Sequence, residues 1–374
     1  EVWAVGTSQD ITWNKVGSAP NVKLEYSTDG GTTYPNLITA STGNTGTFGW
    51  TIPDAISATV KVKISDGNNA NAFDISDANF KIRGSLAVTA PNGNESWNVA
   101  TTQTITWTKV GSIANVKLEY STDQGTTYPN LISGSVPASD LFYNWVIPDD
   151  ISANARVKIT DASDATVYDD SNNNFRIRGS FTLTSPNGAE VWDVGSGHNI
   201  TWTKVGSIAN AKLEYSTDGG GTYPNVILGS IDASTLSFSW TIPDAISTLV
   251  KVRISDVSDS VVNDVSNANF KIRGVLTLTS PVGSEVWSVA SSQAITWTRL
   301  GSISNAKLEY SIDGGATYPN VIISSVAASA LTYSWTIPDN ISAAVRVKIT
   351  NLSDSTVTSS SPVDFKIAGV LTLT

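Results

Sequence analysis

Apolar and polar residues alternate with a period of two along most of the chain. In Val60-Lys61-Val62-Lys63-Ile64 the aliphatic residues share one face and the lysines the other, as expected of a strand with one buried face. Val22, Leu24 and Tyr26 alternate with Lys23 and Glu25 in the same way. Phe48 lines up with Trp50 and Ile52, Ile11 with Trp13, Phe80 with Ile82, and Leu86 with Val88. Clusters of Gly, Pro, Asn and Asp punctuate these runs as turns. No long segment carries a helical stripe, so the pattern predicts an all-β chain.

The pattern repeats. Trp3, Trp97, Trp192 and Trp287 recur at steps of 94, 95 and 95, and Trp13, Trp107, Trp202 and Trp297 step identically. Trp50, Trp145, Trp240 and Trp335 complete the set, so all 12 Trp are three positions copied four times. Glu25, Glu119, Glu214 and Glu309 keep the same phase. A period near 95 residues is too long for a solenoid turn and matches a self-contained sandwich domain. Each copy is expected to hold seven or eight short strands in two antiparallel sheets packed face to face. The predicted domains are residues 1–84 (without a first strand of its own), 85–179, 180–274 and 275–369, with 370–374 matching the opening strand of a further copy. One Gly and one further residue join successive copies at Gly84, Gly179 and Gly274. Joints that short leave little room for hinging, which predicts four tandem sandwiches in an extended rod. Ile113, Ile208 and Ile303 sit at a predicted loop tip facing the preceding copy, where repeat 1 has Ala19-Pro20. Each Ile either packs on that neighbour or folds back into its own core.

Composition narrows the chemistry. No run of apolar residues approaches the ~18 needed to span a bilayer. Lys+Arg is 23 against Asp+Glu 33, a net charge of -10, so phosphate neutralisation and nucleic-acid binding are not expected. Cys is 0, which removes disulfides, thiolate metal sites and Cys nucleophiles. His198 is the one His, and it reads as a surface residue in the polar turn Gly197-His198-Asn199. There is no Met at position 1, so the chain is expected to be a window on a longer product.

The residues Pro91-Asn92-Gly93, Trp97, Ile105-Thr106-Trp107, Leu118-Glu119-Tyr120-Ser121 and Asp123 carry a family resemblance, repeated at Pro186, Trp192 and Trp202 and at Pro281, Trp287 and Trp297. Together they resemble the repeats of secreted bacterial surface proteins related to the module of fungal cell-wall glucan-synthesis proteins of the Ser/Thr-rich, GPI-anchored type. The resemblance covers the whole chain. It implies an immunoglobulin- or fibronectin-III-like sandwich, an extracellular or cell-surface location and no catalytic residues.

Four sets of residues are candidate sites. The octet Ser27–Tyr34 follows Ser-x-Asp-x-Gly-x-Thr-aromatic, as do Ser121–Tyr128, Ser216–Tyr223 and Ser311–Tyr318. This resembles the Asp-box hairpin of sialidases. The physics is structural: Asp29, Asp123, Asp218 and Asp313 accept backbone N–H groups across the turn while Gly supplies positive φ. Tyr34 and its equivalents are the best exposed aromatics for stacking on sugar. A second set is acidic: Asp161, Asp164, Asp169 and Asp170 in repeat 2, and Asp256, Asp259 and Asp264 in repeat 3. Clustered oxygens suit Ca²⁺, although no EF-hand-like loop is present and Asp also makes solvated turns. The third set, Lys23, Glu25, Lys61, Lys63, Lys81 and Arg83, reads as a cross-strand charge ladder on an outer face. The last is Val370, Leu371, Thr372, Leu373 and Thr374, which match Val275–Thr279. They are the start of the next copy in a longer array or, alternatively, a strand donated to repeat 1 of a second molecule to build a head-to-tail filament.

The expected function is mechanical, not enzymatic: a structural or adhesive repeat segment of an extracellular stalk, adhesin or filament. The alternatives are a multivalent carbohydrate-binding array and the non-catalytic spacer of a secreted enzyme. The expected partners are copies of the chain or further repeats, with surface glycans under the second reading. No cofactor is expected beyond Ca²⁺ at the acidic loops.

Overall fold

The computed structural model describes residues 1–373. Contacts divide the chain into two compact units, Glu1–Gly179 and the residues from Ser180 onward. Each is built from sandwiches of short strands.

In the first unit, repeat 1 runs β1 (Val2–Ala4), β2 (Ser8–Thr12), β3 (Asn21–Ser27), β4 (Asn36–Gly43), β5 (Thr47–Thr51), β6 (Ser57–Asp66), β7 (Asn69–Ile75) and β8 (Phe80–Arg83). One sheet has the order β1-β8-β6-β3-β4 with β7 also on β6, and β2-β5 lies opposite. Repeat 2 follows with β9 (Ser85–Ala90), β10 (Ser96–Asn98), β11 (Thr102–Val110), β12 (Asn115–Ser121), β13 (Asn130–Pro137), β14 (Phe142–Val146), β15 (Ser152–Asp161), β16 (Tyr168–Asp170) and β17 (Phe175–Arg178). Its sheets are β10-β17-β15-β12-β13, with β16 on β15, and β14-β11-β9. The second unit builds this nine-strand arrangement twice, opening on Ser180–Ser185 and on Val275–Ser280. Helix is confined among the described residues to three-residue 3-10 turns at Ala138–Asp140, Ala233–Thr235 and Ala328–Ala330.

The sheets are not purely antiparallel. Trp97 on β10 pairs in parallel with Ile177 on β17, and Trp3 on β1 pairs the same way with Ile82 on β8. The cause lies at Pro91. Proline has no N–H for a ladder, β9 ends there, and the chain crosses to the opposite sheet before β10 begins. The two halves of one opening segment thus serve different sheets.

The inward residues are those that alternation marks. Leu118, Val157, Ile159, Ile105 and Trp107 are buried in repeat 2, with Trp97 packed on Phe175 at 5.0 Å between ring centroids. The indole of Trp107 donates to the Ala138 carbonyl of the 3-10 turn at 3.2 Å, so the buried polar edge is satisfied. Equivalent cores form around Trp202 and around Trp297. The apolar cluster of repeat 1 is smaller, with Trp50, Val60 and Phe80 inside and Trp3 and Ile11 only partly covered.

Ile113, Ile208 and Ile303 fold into their own cores, at 4%, 2% and 2% exposure. Gly84 runs against this residue: a Cβ there would lie 2.7 Å from the Val110 carbonyl oxygen and 2.8 Å from Ile113. Gly274 meets Leu300 and Ile303 in the same way. His198 is on the strand Gly197–Val205, not in a turn, stacked on Trp192 at 4.5 Å between centroids.

Candidate functional site

Three features repeat with the fold, and a fourth is found in repeat 1. The first is the Asp turn. Ser121 Oγ donates to Asp123 Oδ1 at 2.5 Å and accepts the Gly125 N–H at 2.9 Å. Asp123 also accepts the Thr127 N–H at 3.0 Å and the Thr127 hydroxyl at 2.7 Å. Asp29, Asp218 and Asp313 hold the same positions. The Ser121 hydroxyl and the Thr127 donors hold the Asp123 carboxyl down at about 2, and the same cause lowers the other three. Donors surround both oxygens, so the geometry is that of a fastened turn. The aromatic that follows is tucked and covered: Lys63 lies over Tyr34, Lys158 over Tyr128, Arg253 over Tyr223 and Lys348 over Tyr318. The ring faces are occupied by cations rather than open to a sugar.

The second feature is the outer ladder. Glu25, Glu119, Glu214 and Glu309 each take a Lys two residues earlier on the same strand at 2.5–2.6 Å. Glu214 also binds Arg253 across the sheet at 2.8 Å. Burial would raise the Glu214 carboxyl, but Lys212 and Arg253 outweigh it and lower it.

The third is the joint between consecutive repeats within each unit. In the first unit the Asp54 carboxylate accepts the Ser112 N–H at 2.8 Å and the Ser112 hydroxyl. Lys81 pairs with Asp164, and Arg83 donates to the Thr166 carbonyl at 3.2 Å. Gly111, at φ 89°, lies against Ile56 and Val5. The second unit repeats the joint. Asp244 accepts from Ser302, Lys271 pairs with Asp354 at 2.5 Å, and Gly301 lies against Ile246 and Val194. The Asp–Ser clamp was not anticipated from the sequence. Its signal was the persistence of Asp in Ile-Pro-Asp and of Gly-Ser after the second Trp in every copy.

The acidic residues considered for Ca²⁺ are not brought together. Among the described residues no group of three or more His, Cys, Asp or Glu gathers as a metal site. Each Asp has a separate task. Asp161 and Asp256 accept from Ser163 and Ser258 to close their own turns. Asp164 reaches Lys81 of the neighbouring repeat, and Asp259 caps Val261. Asp169 and Asp264 accept the N–H of Val88 and Leu183 on the opening strands at 2.7 and 2.6 Å. Asp170 accepts the Tyr128 hydroxyl at 2.6 Å.

Repeat 1 has an open groove of about 630 Å³ beside β2 and β7, lined in part by Ile11, Trp13, Val16, Ile64 and Asp74. In the other repeats the opening strand covers the equivalent residues. Val370, Leu371, Thr372 and Leu373 are exposed and outside any strand, with Leu371 at 101% and Leu373 at 103%. Thr374 lies outside the described residues.

No family model matches the chain, and no curated protein matches it in sequence. Solved structures do. The N-terminal eight Ig domains of the Down Syndrome Cell Adhesion Molecule align at 9% identity and a TM-score of 0.26, covering 99% of this chain and 46% of that one. The chain thus spans less than half of that structure. The N-terminal four Ig domains of Dscam1 isoform 1.9 align at 9% identity and 0.26, covering 98% and 96%. The fibronectin(III)-like modules of Clostridium thermocellum CbhA align at 18% identity and 0.19, covering 50% and 94%. By its own strand order and cores the chain is a tandem repeat of β-sandwich domains.

Proposed function

We propose that this chain is a structural or adhesive repeat segment of an extracellular or cell-surface protein, non-catalytic and serving to space or link what it is joined to. The observation that carries the reading is the joint built twice from the same parts, Asp54–Ser112 with Lys81–Asp164 and Asp244–Ser302 with Lys271–Asp354. A freely jointed string has no use for the same clamp built once within each unit. The resemblance to repeats of secreted bacterial surface proteins supports the location. The glycan-array alternative has a poorer platform, because Lys or Arg covers each turn Tyr.

The chain has no Cys, so Ser41→Cys and Ser135→Cys give two unique, exposed labelling sites in repeats 1 and 2. Electron-spin distance measurements on the full chain should give one narrow distribution, broadened in Asp54→Ala/Lys81→Ala. A broad distribution in the unaltered joint would remove the spacer reading.

A further inference from the structure

Asn-Gly occurs twice in the chain, at Asn92-Gly93 and Asn187-Gly188. In this dipeptide an asparagine loses ammonia most readily, because glycine puts no side chain in the way of its own amide nitrogen. That nitrogen gives up its proton and attacks the Asn Cγ, the Cγ–Nδ2 bond breaks, and ammonia leaves. Water then opens the resulting succinimide to aspartate or to β-linked aspartate. The fold demands the glycine. Gly93 has φ 126°, a conformation that favours glycine, and a Cβ there would lie 2.5 Å from the Asn173 Cβ. Gly188, at φ 123°, would meet the Ala268 Cβ at 2.6 Å. A bulkier second residue therefore cannot relieve the labile dipeptide.

Both dipeptides are held from two sides. The Glu95 carboxylate accepts the Asn92 N–H at 2.9 Å through Oε1 and the Gly93 N–H at 2.8 Å through Oε2. Glu190 accepts those of Asn187 and Gly188 at 2.8 and 2.7 Å. Loss of the glycine proton would set an amide anion against a carboxylate, and a like charge that close disfavours the ionisation. The asparagine side chain is fixed as well. Asn92 Oδ1 accepts the Asn172 N–H at 2.6 Å, and Asn187 Oδ1 accepts the Asn267 N–H at 2.7 Å, so the Cγ is not free to swing onto the next nitrogen. Repeat 4 supplies an internal control. Glu285 closes the same turn on Val282 and Gly283 at 2.8 and 2.7 Å, with no asparagine to lose ammonia.

We propose that Asn92 and Asn187 are latent deamidation sites, each held closed by the glutamate that follows it, Glu95 or Glu190. Their place in the fold gives the modification its consequence. Residues 91–95 carry the chain from β9 to β10. A β-linked aspartate at position 92 adds a carbon to that crossing and disturbs the register of Trp97 against Ile177 on β17. The site is independent of what the chain spaces or links.

The test incubates the full chain in mildly alkaline buffer and follows both asparagines by peptide mass spectrometry, with a urea-unfolded sample as the open reference. In the folded chain Asn92 and Asn187 should convert far more slowly than in urea. Glu95→Ala should speed conversion at Asn92 roughly tenfold and leave Asn187 unchanged, and Glu190→Ala should do the reverse. Glu285→Ala shows how far loss of the turn alone lowers the melting temperature. Glu95→Gln keeps an acceptor oxygen for the turn and removes the charge, so it should speed Asn92 without lowering the melting temperature. Chain converted at position 92 should melt below unconverted chain. Conversion in the folded chain as fast as in urea overturns the closed site. A Glu95→Gln chain that melts like the unaltered one and converts no faster overturns the role of the carboxylate, whatever Glu95→Ala does.

Discussion

At the scale of single residues, the Asp turns set how the protein responds to acid. Asp123 in the folded chain titrates at about 2, below the ~3.9 of an unfolded Asp. A lowered carboxyl contributes stability that is complete above pH ~4 and fades as pH falls toward 2. Melting temperature should therefore decline between about pH 4 and pH 2, with a shallower decline in Asp123→Asn. Carboxyl-carbon NMR should place the Asp123 midpoint near 2 and show it rising in Ser121→Ala, which removes the first of its hydrogen bonds. An unshifted midpoint in Ser121→Ala would mean that the hydroxyl is not what holds the charge. This turn was legible in the sequence, because Ser, Asp, Gly and Thr within seven residues leave few other ways to satisfy the backbone. The Asp164–Lys81 pair was not legible, because its two halves come from different repeats.

At the scale of elements, the short connection between repeats is held by close approach. Gly84 lies where a methyl group would strike the Val110 carbonyl and Ile113. Gly84→Ala should cost about 1–3 kcal/mol, as overpacking does, whereas Gly134, with nothing within 4 Å of its Cβ position, should tolerate Ala with far less loss. Equal urea midpoints for the two variants would refute the close approach. Trp297, at 1% exposure with its N–H on the Ala328 carbonyl at 2.9 Å, should cost about 3–5 kcal/mol as Ala, read as a lower melting temperature for repeat 4. Alternation predicted these strands and their buried faces. It did not predict the parallel pairing of β10 with β17, since a period of two states which side of a strand is buried and leaves open which sheet the strand joins.

At the scale of the molecule, four copies of one plan are not equally finished. Repeat 1 has the smaller apolar cluster and the open groove, so its amides are expected to exchange with solvent soonest, and hydrogen exchange by mass spectrometry should rank residues 21–66 below residues 115–161 in protection. Equal protection would mean that the groove costs repeat 1 nothing. The sequence by itself determined the all-β class, the fourfold period, the buried faces and the fastened turns. Each of these depends on residues a few positions apart or on the copying of one pattern. Tertiary structure decided the rest. It turned Ile113 into its own core and sent Asp161, Asp164, Asp169 and Asp170 to four different partners. It also left Asp74 facing an open groove. The partner of a polar side chain is whatever the fold brings within 3 Å or so, often from about 80 residues away, and no local pattern encodes that distance.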